Sequence, residues 1–456
     1  MKTDLKASDY FLAGYSIREK TLYIIISIVA LAPIFMMNRD FWDGRIIAYA
    51  FRTGNFTGLK TWFFESRWFL QYYVYRAIHF LSSISGVDYK VLIRLLAILC
   101  LFGISGEAKY LMKYLFNLPE KNIYIARLFI IAYPAWHVLV SSVLISYMIC
   151  IWLILLGYRL LLRSNYLGLI AIGISLHFKS NFPLLIALIL SDYISHKYIR
   201  KDNVIKLSRT LLLSLLVCIL FVVIGIVLPT YGLYSNYNQF DLRPVAMAYN
   251  TIYLVLFIIS MVSIYLLFFA ASSISLKHRI GTIFRKEDLA ALIILVVIYS
   301  AVSIPYIAVG KVPRMGDFND WTHRNVFLTV IPLSLFIALI SFKINQLIKG
   351  HNLFDFLHRI TIGLSLLVFV ALLYVGYQAK VNQLAFESSL IDSISSEIGK
   401  PAEGSVHIST SIKPPSRIRW YEANSIFQRV FGEASWMVEI DSRPLDGSME
   451  GEYDIY

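Results

Sequence analysis

The sequence predicts an all-α polytopic membrane protein: a GT-C-like count of about eleven transmembrane helices, followed by a small external α/β domain. Three observations carry that class. Of 456 residues, 58% are hydrophobic and only 16% charged, a balance that suits neither a soluble core nor a disordered chain. Charge-free apolar stretches recur up to residue 379, several of them near the roughly 20 residues that cross a bilayer. The 30 Tyr, 30 Phe and 8 Trp exceed what one soluble core would use, whereas interfacial rings suit a membrane protein. The net charge of +13 fits cytoplasmic loops better than a nucleic-acid partner, and none is expected. Cys100, Cys150 and Cys218 lie inside apolar runs with no disulfide or metal spacing, so they read as small core residues.

Residues 1–20 form a charged cytoplasmic tail. No cleavable signal peptide follows, because the first apolar run is long and lacks a small-residue cleavage site. The clear spans are 21–38, 208–229, 250–272, 289–310, 325–342 and 360–379. Residues 91–111 make a weaker span, with Arg94 and Glu107 near its ends. Residues 122–158 are too long for one helix and read as two, turning at Tyr133-Pro134-Ala135-Trp136-His137. Residues 166–177 and 181–195 are short, a hairpin or broken pair with Lys179 at its tip. Dense cations at Lys197, Arg200, Lys201, Lys206 and Arg209, and again at Lys277, Arg279, Arg285 and Lys286, belong in the cytoplasm, with Arg159, Arg163, Lys343 and Lys349. That gives N-terminus in and C-terminus out for the bundle 21–379. Residues 68–83 would break the parity if they spanned, so they are placed on the outer membrane surface. The tail 380–456 carries −5 against +18 for the rest. Within it 406–412 and 436–440 suit strands and 417–431 an amphipathic helix, making an external domain. The long spans read as nearly charge-free, with the titratable groups at one surface; that favours interfacial chemistry over a crossing pathway.

Chemistry concentrates in the first outer loop, 38–90. Asp40 and Asp43 stand where the first helix leaves the membrane, flanked by Arg39 and Arg45, and Glu65-Ser66-Arg67 follows later. Seven cations occupy this loop (Arg39, Arg45, Arg52, Lys60, Arg67, Arg76 and Lys90), and anionic headgroups or a phosphate-bearing substrate would account for them. A carboxylate among arginines can take a proton from a hydroxyl nucleophile while cations receive a departing phosphate. Two carboxylates three apart can also share a helix face and hold a divalent ion such as Mg or Mn. The plainer alternative is that Asp40 caps the next helix and pairs with the arginines. His177 and Lys179 mark a second outward site, where Lys179 either binds substrate or snorkels to headgroups. The third is the outer loop holding Arg314, Asp317, Asp320, Trp321, His323 and Arg324. There a phosphate could meet Arg324 and a helix start, and a sugar could stack on Trp321.

A first helix ending in Asp, a second acid shortly after, then Arg, then an amphipathic stretch closing on Gly-Asn and Trp, resembles the GT-C glycosyltransferases. The similarity is greatest to the bacterial group that builds or decorates surface polysaccharides, including serotype-converting glucosyltransferases. It covers the topology of most of the chain, but its specific residues occupy only the first loop. The resemblance implies an inverting transferase in the bacterial inner membrane that moves a sugar from a polyprenyl-phosphate donor to a glycan or lipid-linked acceptor. Asp40 or Asp43 would be its general base, and 41–53 and 68–83 its membrane-parallel helices. Arg45, Glu65, Arg67, His177, Lys179, Arg314, Asp317, Asp320, Trp321, His323 and Arg324 would bind substrate. No strict Asp-x-Asp occurs, so no cofactor is firmly implied and the metal question stays open. An O-antigen polymerase or ligase, leaning on Arg314 and Arg324, is the alternative enzyme; a transporter or lipid flippase is the alternative from another class.

Overall fold

The computed structural model describes residues 15–37, 44–201, 286–308, 326–347, 352–397, 406–409 and 438–441, with a few scattered positions between 216 and 263. Helix α1 (Ile17–Met36) begins earlier than its charge-free run because Ser16 and Glu19 close a capping box. The Ser16 hydroxyl accepts from the Glu19 N–H at 3.3 Å, and the Glu19 carboxylate accepts from the Ser16 N–H at 2.7 Å.

Three short helices follow where two were expected. They are α2 (Gly44–Thr53), α3 (Thr57–Glu65) and α4 (Phe69–Ser85). At 1.5 Å per residue the longest is about 26 Å, short of the roughly 30 Å hydrocarbon core. Gly54, at φ +70°, separates α2 from α3; the left-handed region favours glycine there. Helix α5 (Tyr89–Phe116) is capped by Asp88, whose carboxylate accepts from the Lys90 N–H at 2.8 Å, and it ends on left-handed Asn117.

The aromatic–proline corner is real. Helix α6 (Glu120–Ile131) and a 3-10 stretch, Pro134–Val140, are bent by 44°, where Pro134 cannot donate a helical hydrogen bond. The chain then turns into α7 (Ile145–Leu162). Residues 122–146 are all buried, with Arg127, Tyr133 and Trp136 among the largest enclosed side chains. Helices α8 (Leu167–Ser175) and α9 (Asn181–Ile194) form the short pair, and α9 runs on as a π-helical turn, Ser195–Arg200. Next come α10 (Lys286–Ile307), α11 (Val330–Leu347) and α12 (Asn352–Glu397). Strands β1 (Val406–Ser409) and β2 (Val438–Asp441) pair in parallel, Val406 opposite Val438. The helix expected at 417–431 and most of the spans expected at 208–229 and 250–272 lie outside the described residues.

Among the described residues, six helices are long and apolar enough to cross a membrane, or seven if the bent pair counts as one span. The chain is therefore a polytopic, overwhelmingly helical membrane protein by length and composition. Helices α1 and α12 present Ile24, Ile28, Leu364 and Leu367 outward, as lipid-facing surfaces do. Inside, small residues let helices touch: a Cβ on Gly157 would stand 2.8 Å from the Gly168 carbonyl oxygen, fixing α7 against α8. Cys100 and Cys150 are buried thiols, as expected.

One end of the bundle collects the cations. Tyr124 donates to the Glu19 carbonyl at 2.8 Å, joining the start of α1 to α6. Lys109 and Lys113 of α5 both pair with Glu120 at 3.1 Å. Lys201 pairs with Glu287 at 2.8 Å, and Lys343 pairs with Asp288, so the end of α9, the start of α10 and the end of α11 meet there too. The expectation of nearly charge-free spans fails here. Arg159 bonds Glu107 at 2.7 Å, both buried, and Arg127, fully enclosed, bonds the Ser105 hydroxyl at 3.0 Å beneath the Tyr15 and Tyr23 rings. One or two charges per apolar run leave its hydropathy nearly intact, and partners from neighbouring helices make their burial tolerable.

Candidate functional site

The opposite end holds the described residues that flank the segments singled out in the sequence. Helix α1 finishes there at Met36, four residues before Asp40. Asp40 and Asp43 lie outside the described residues, as do Arg314, Asp317, Asp320, Trp321, His323 and Arg324; Arg45 is described only in its backbone, in the first turn of α2. The loop carrying the late group leaves from Ile307 and returns at Val326. That return is pinned to the buried corner: the Tyr133 hydroxyl donates to the Val326 carbonyl at 2.9 Å and meets the Thr329 hydroxyl at 2.7 Å.

Helix α4 lies over this end. Its Tyr75 hydroxyl donates to the Ser142 carbonyl at 2.8 Å, at the single 3-10 turn Ser142–Leu144 that leads into α7. Its Leu70 N–H donates to Nε2 of His177 at 3.2 Å. A ring nitrogen that accepts carries no proton, so the His177 imidazole is neutral with its hydrogen on Nδ1. In this turn beyond α8, burial also pushes the imidazole below its ordinary range. His177 is thus a titratable group held uncharged, while Lys179 is exposed at the tip.

Two substrate-binding candidates meet around one ring. The Arg67 guanidinium sits 5.8 Å from the centre of Phe69, and the Phe69 ring is 5.7 Å from that of His177. Glu65, half-buried, closes α3 two residues earlier. Beside them a small recess enclosing about 10 Å³ is lined by Trp68, Leu70, Gln71, Ser146, Tyr147, Cys150, His177 and Phe178, room for roughly one water. Among the described residues, no three His, Cys, Asp or Glu side chains are grouped to hold a metal.

Sequence reasoning missed three buried polar residues at this end. Arg94 is 4% exposed, Lys380 fully enclosed and Gln71 7% exposed. The Tyr23 hydroxyl meets that of Ser105 at 3.1 Å in antiparallel α1 and α5, which puts Arg94 level with the last turns of α1. The Tyr377 hydroxyl donates to the Ala30 carbonyl at 2.9 Å, which puts Lys380, one turn on, at the same height. The available signal was a cation inside or bordering an apolar run. The sequence matches no protein-family model, and neither a curated protein nor a solved structure matches the chain.

Proposed function

We propose that the chain is a membrane glycosyltransferase that moves a sugar from a polyprenyl-phosphate donor to a glycan or lipid-linked acceptor at the outer face of the cytoplasmic membrane. The observation that carries this reading is the cover of three short helices, α2 to α4, seated on the end of the bundle directly after the segment holding Asp40 and Asp43. Such helices suit the plane of a membrane surface better than its interior. The reading adds about eleven spans, an outward C-terminus and an external tail domain, to which the parallel pairing of β1 with β2 lends support.

In this mechanism the acceptor hydroxyl loses its proton to Asp40 or Asp43 as it attacks the anomeric carbon. The bond from that carbon to the phosphate oxygen breaks, and the polyprenyl phosphate leaves with the electron pair. Nearby cations hold the charge, with Arg94, Lys380, Arg314 and Arg324 as candidates. Positioning and electrostatics would supply most of the rate. Purified chain in liposomes should consume a polyprenyl-phosphate sugar and leave nucleotide sugars untouched. Turnover of a nucleotide sugar without lipid would contradict it.

One observation favours a second reading, a transporter. Broken helices and buried ionisable groups are features of transport pathways, and the α6 corner with Glu107, Arg127, Arg159 and Asp192 supplies both. Those charges sit toward the cation-rich end, away from the Asp40 segment. Lipid or solute movement across vesicles without sugar transfer would select this reading.

A further inference from the structure

We infer that the cation-rich end of the bundle binds the headgroup of an anionic phospholipid, where the last turns of α5 and α7 meet the turn Ser195–Arg200. This site lies at the other end of the bundle from the Asp40 segment and does not depend on the transferase reading.

Two tyrosines of α5 form its centre. Tyr110 and Tyr114, one turn apart, stack at 5.6 Å with their ring planes 11° apart. Three guanidinium groups from two other elements converge on these rings. Those of Arg163 and Arg159, at the end of α7, stand 5.5 and 5.9 Å from the centre of Tyr110, and that of Arg200 stands 4.6 Å from the centre of Tyr114. Like charges brought this close repel unless anions join them.

Among the described residues, the chain brings two carboxylates to this cluster. Glu107 accepts from Arg159 at 2.7 Å. Asp192 lies 3.3 Å from Nε2 of His196, and the same nitrogen meets the Tyr114 hydroxyl at 3.0 Å. Both carboxylates are 1% exposed, whereas Arg163 is exposed and Arg200 half-buried. The acids thus form a closed floor and the cations the accessible rim. Three guanidinium groups against two carboxylates leave one positive charge, which a phosphodiester of charge −1 balances. The planar guanidinium fork also matches phosphate oxygens in pairs.

The neighbouring surface points to a lipid as the source of that phosphate. Arg163 leads into α8, whose Leu167 and Ile170 are exposed, and Arg200 ends the turn after α9, whose Ile186 and Leu190 are exposed. Exposed Tyr193 carries the Lys197 ammonium 5.7 Å from its ring, an interleaving of ring and cation suited to headgroup height. Acyl chains lying along α8 and α9 would deliver their phosphate to the rim. Basic clusters between spanning helices suit such headgroups.

The test is native mass spectrometry of the full-length chain in a neutral detergent, titrated with equal amounts of dioleoyl phosphatidylglycerol and dioleoyl phosphatidylcholine. Glycerol 3-phosphate serves as the anion without chains. Wild type should retain phosphatidylglycerol over phosphatidylcholine by about fivefold or more, and excess glycerol 3-phosphate should not displace it. Arg163→Gln and Arg200→Gln, each shown to be folded by its melting curve, should each reduce that preference about fivefold. Arg52→Gln, in α2 at the opposite end, should leave it unchanged. The inference is overturned if wild type shows no preference, if glycerol 3-phosphate displaces the lipid, or if Arg52→Gln reduces the preference as much. It is equally overturned if a folded Arg163→Gln or Arg200→Gln variant keeps the full preference, which would leave these guanidinium groups as counter-charges to the helix ends.

Discussion

The backbone N–H of Leu70 donates to Nε2 of His177 across 3.2 Å, tying the first turn of α4 to the turn between α8 and α9. The bond exists only while the imidazole is neutral, and burial lowers its pKa in the fold. The unfolded chain then binds the proton more readily, so stability is fully present above about pH 6.5 and is lost as pH falls toward the folded value. His177→Gln can accept the same bond without titrating. Thermal unfolding at pH 7.5 and pH 5.5 should show a larger acid loss for wild type than for this variant. Equal losses would mean that His177 does not titrate with folding.

The α7–α8 contact predicts opposite outcomes for two glycines on one helix. A Cβ on Gly168 would stand 2.5 Å from the Gly157 carbonyl oxygen, whereas one on Gly173 meets nothing within 4 Å. Gly168→Ala should destabilise by about 1–3 kcal/mol as backbone must shift. Gly173→Ala should be neutral or stabilising by roughly 0.5–1 kcal/mol. Unfolding of both variants in the same detergent checks the pair.

The buried Glu107–Arg159 bond predicts strong coupling. Glu107→Gln or Arg159→Met alone leaves a charge enclosed without its counterpart, at a cost of about 3–5 kcal/mol. The double variant should cost clearly less than the two singles added. A double-mutant cycle on unfolding free energy measures the difference, and additivity would show that the groups do not act as a pair.

How far the fold was legible follows from what a linear sequence can register. The aromatic–proline corner at Tyr133 and Pro134 and the shortness of the helix over 68–83 were legible, because proline and the length of an apolar run are local properties. Helix α3 was not, since Gly58 and Lys60 interrupt its pattern and only Phe63 and Leu59 turn inward. The ion pairs were not either. Glu107 and Arg159 are 52 positions apart, so each alone looks like the frayed end of a span. At the candidate site, Arg67 and His177 were singled out for charge, but what joins them is the uncharged ring of Phe69. Gln71 escaped notice because an amide in an amphipathic helix carries no signal until its burial is known.

Topology gives an independent prediction. The cations of Lys197, Arg200, Lys201 and Lys343 share one end of the bundle with the start of α1, and such clusters are costly to translocate. A reporter fused after Tyr456 should be active only outside the cytoplasm. A cytoplasmic signal there would remove an outward-facing active site.

In the proposed transfer, an aspartate between α1 and α2 takes the acceptor's proton. Asp40→Asn and Asp43→Asn keep size and some hydrogen bonding but delete basicity. General-base loss costs about 10²–10⁴-fold in rate, whereas loss of a helix cap costs about 1 kcal/mol of stability. The decisive measurement is sugar transfer from a polyprenyl-phosphate donor in liposomes, at matched protein abundance, for wild type and each variant. One of the two variants should insert normally, bind donor lipid and transfer at least a hundredfold more slowly. Full transfer by both variants, with only a small fall in melting temperature, would contradict it and leave these aspartates as helix caps.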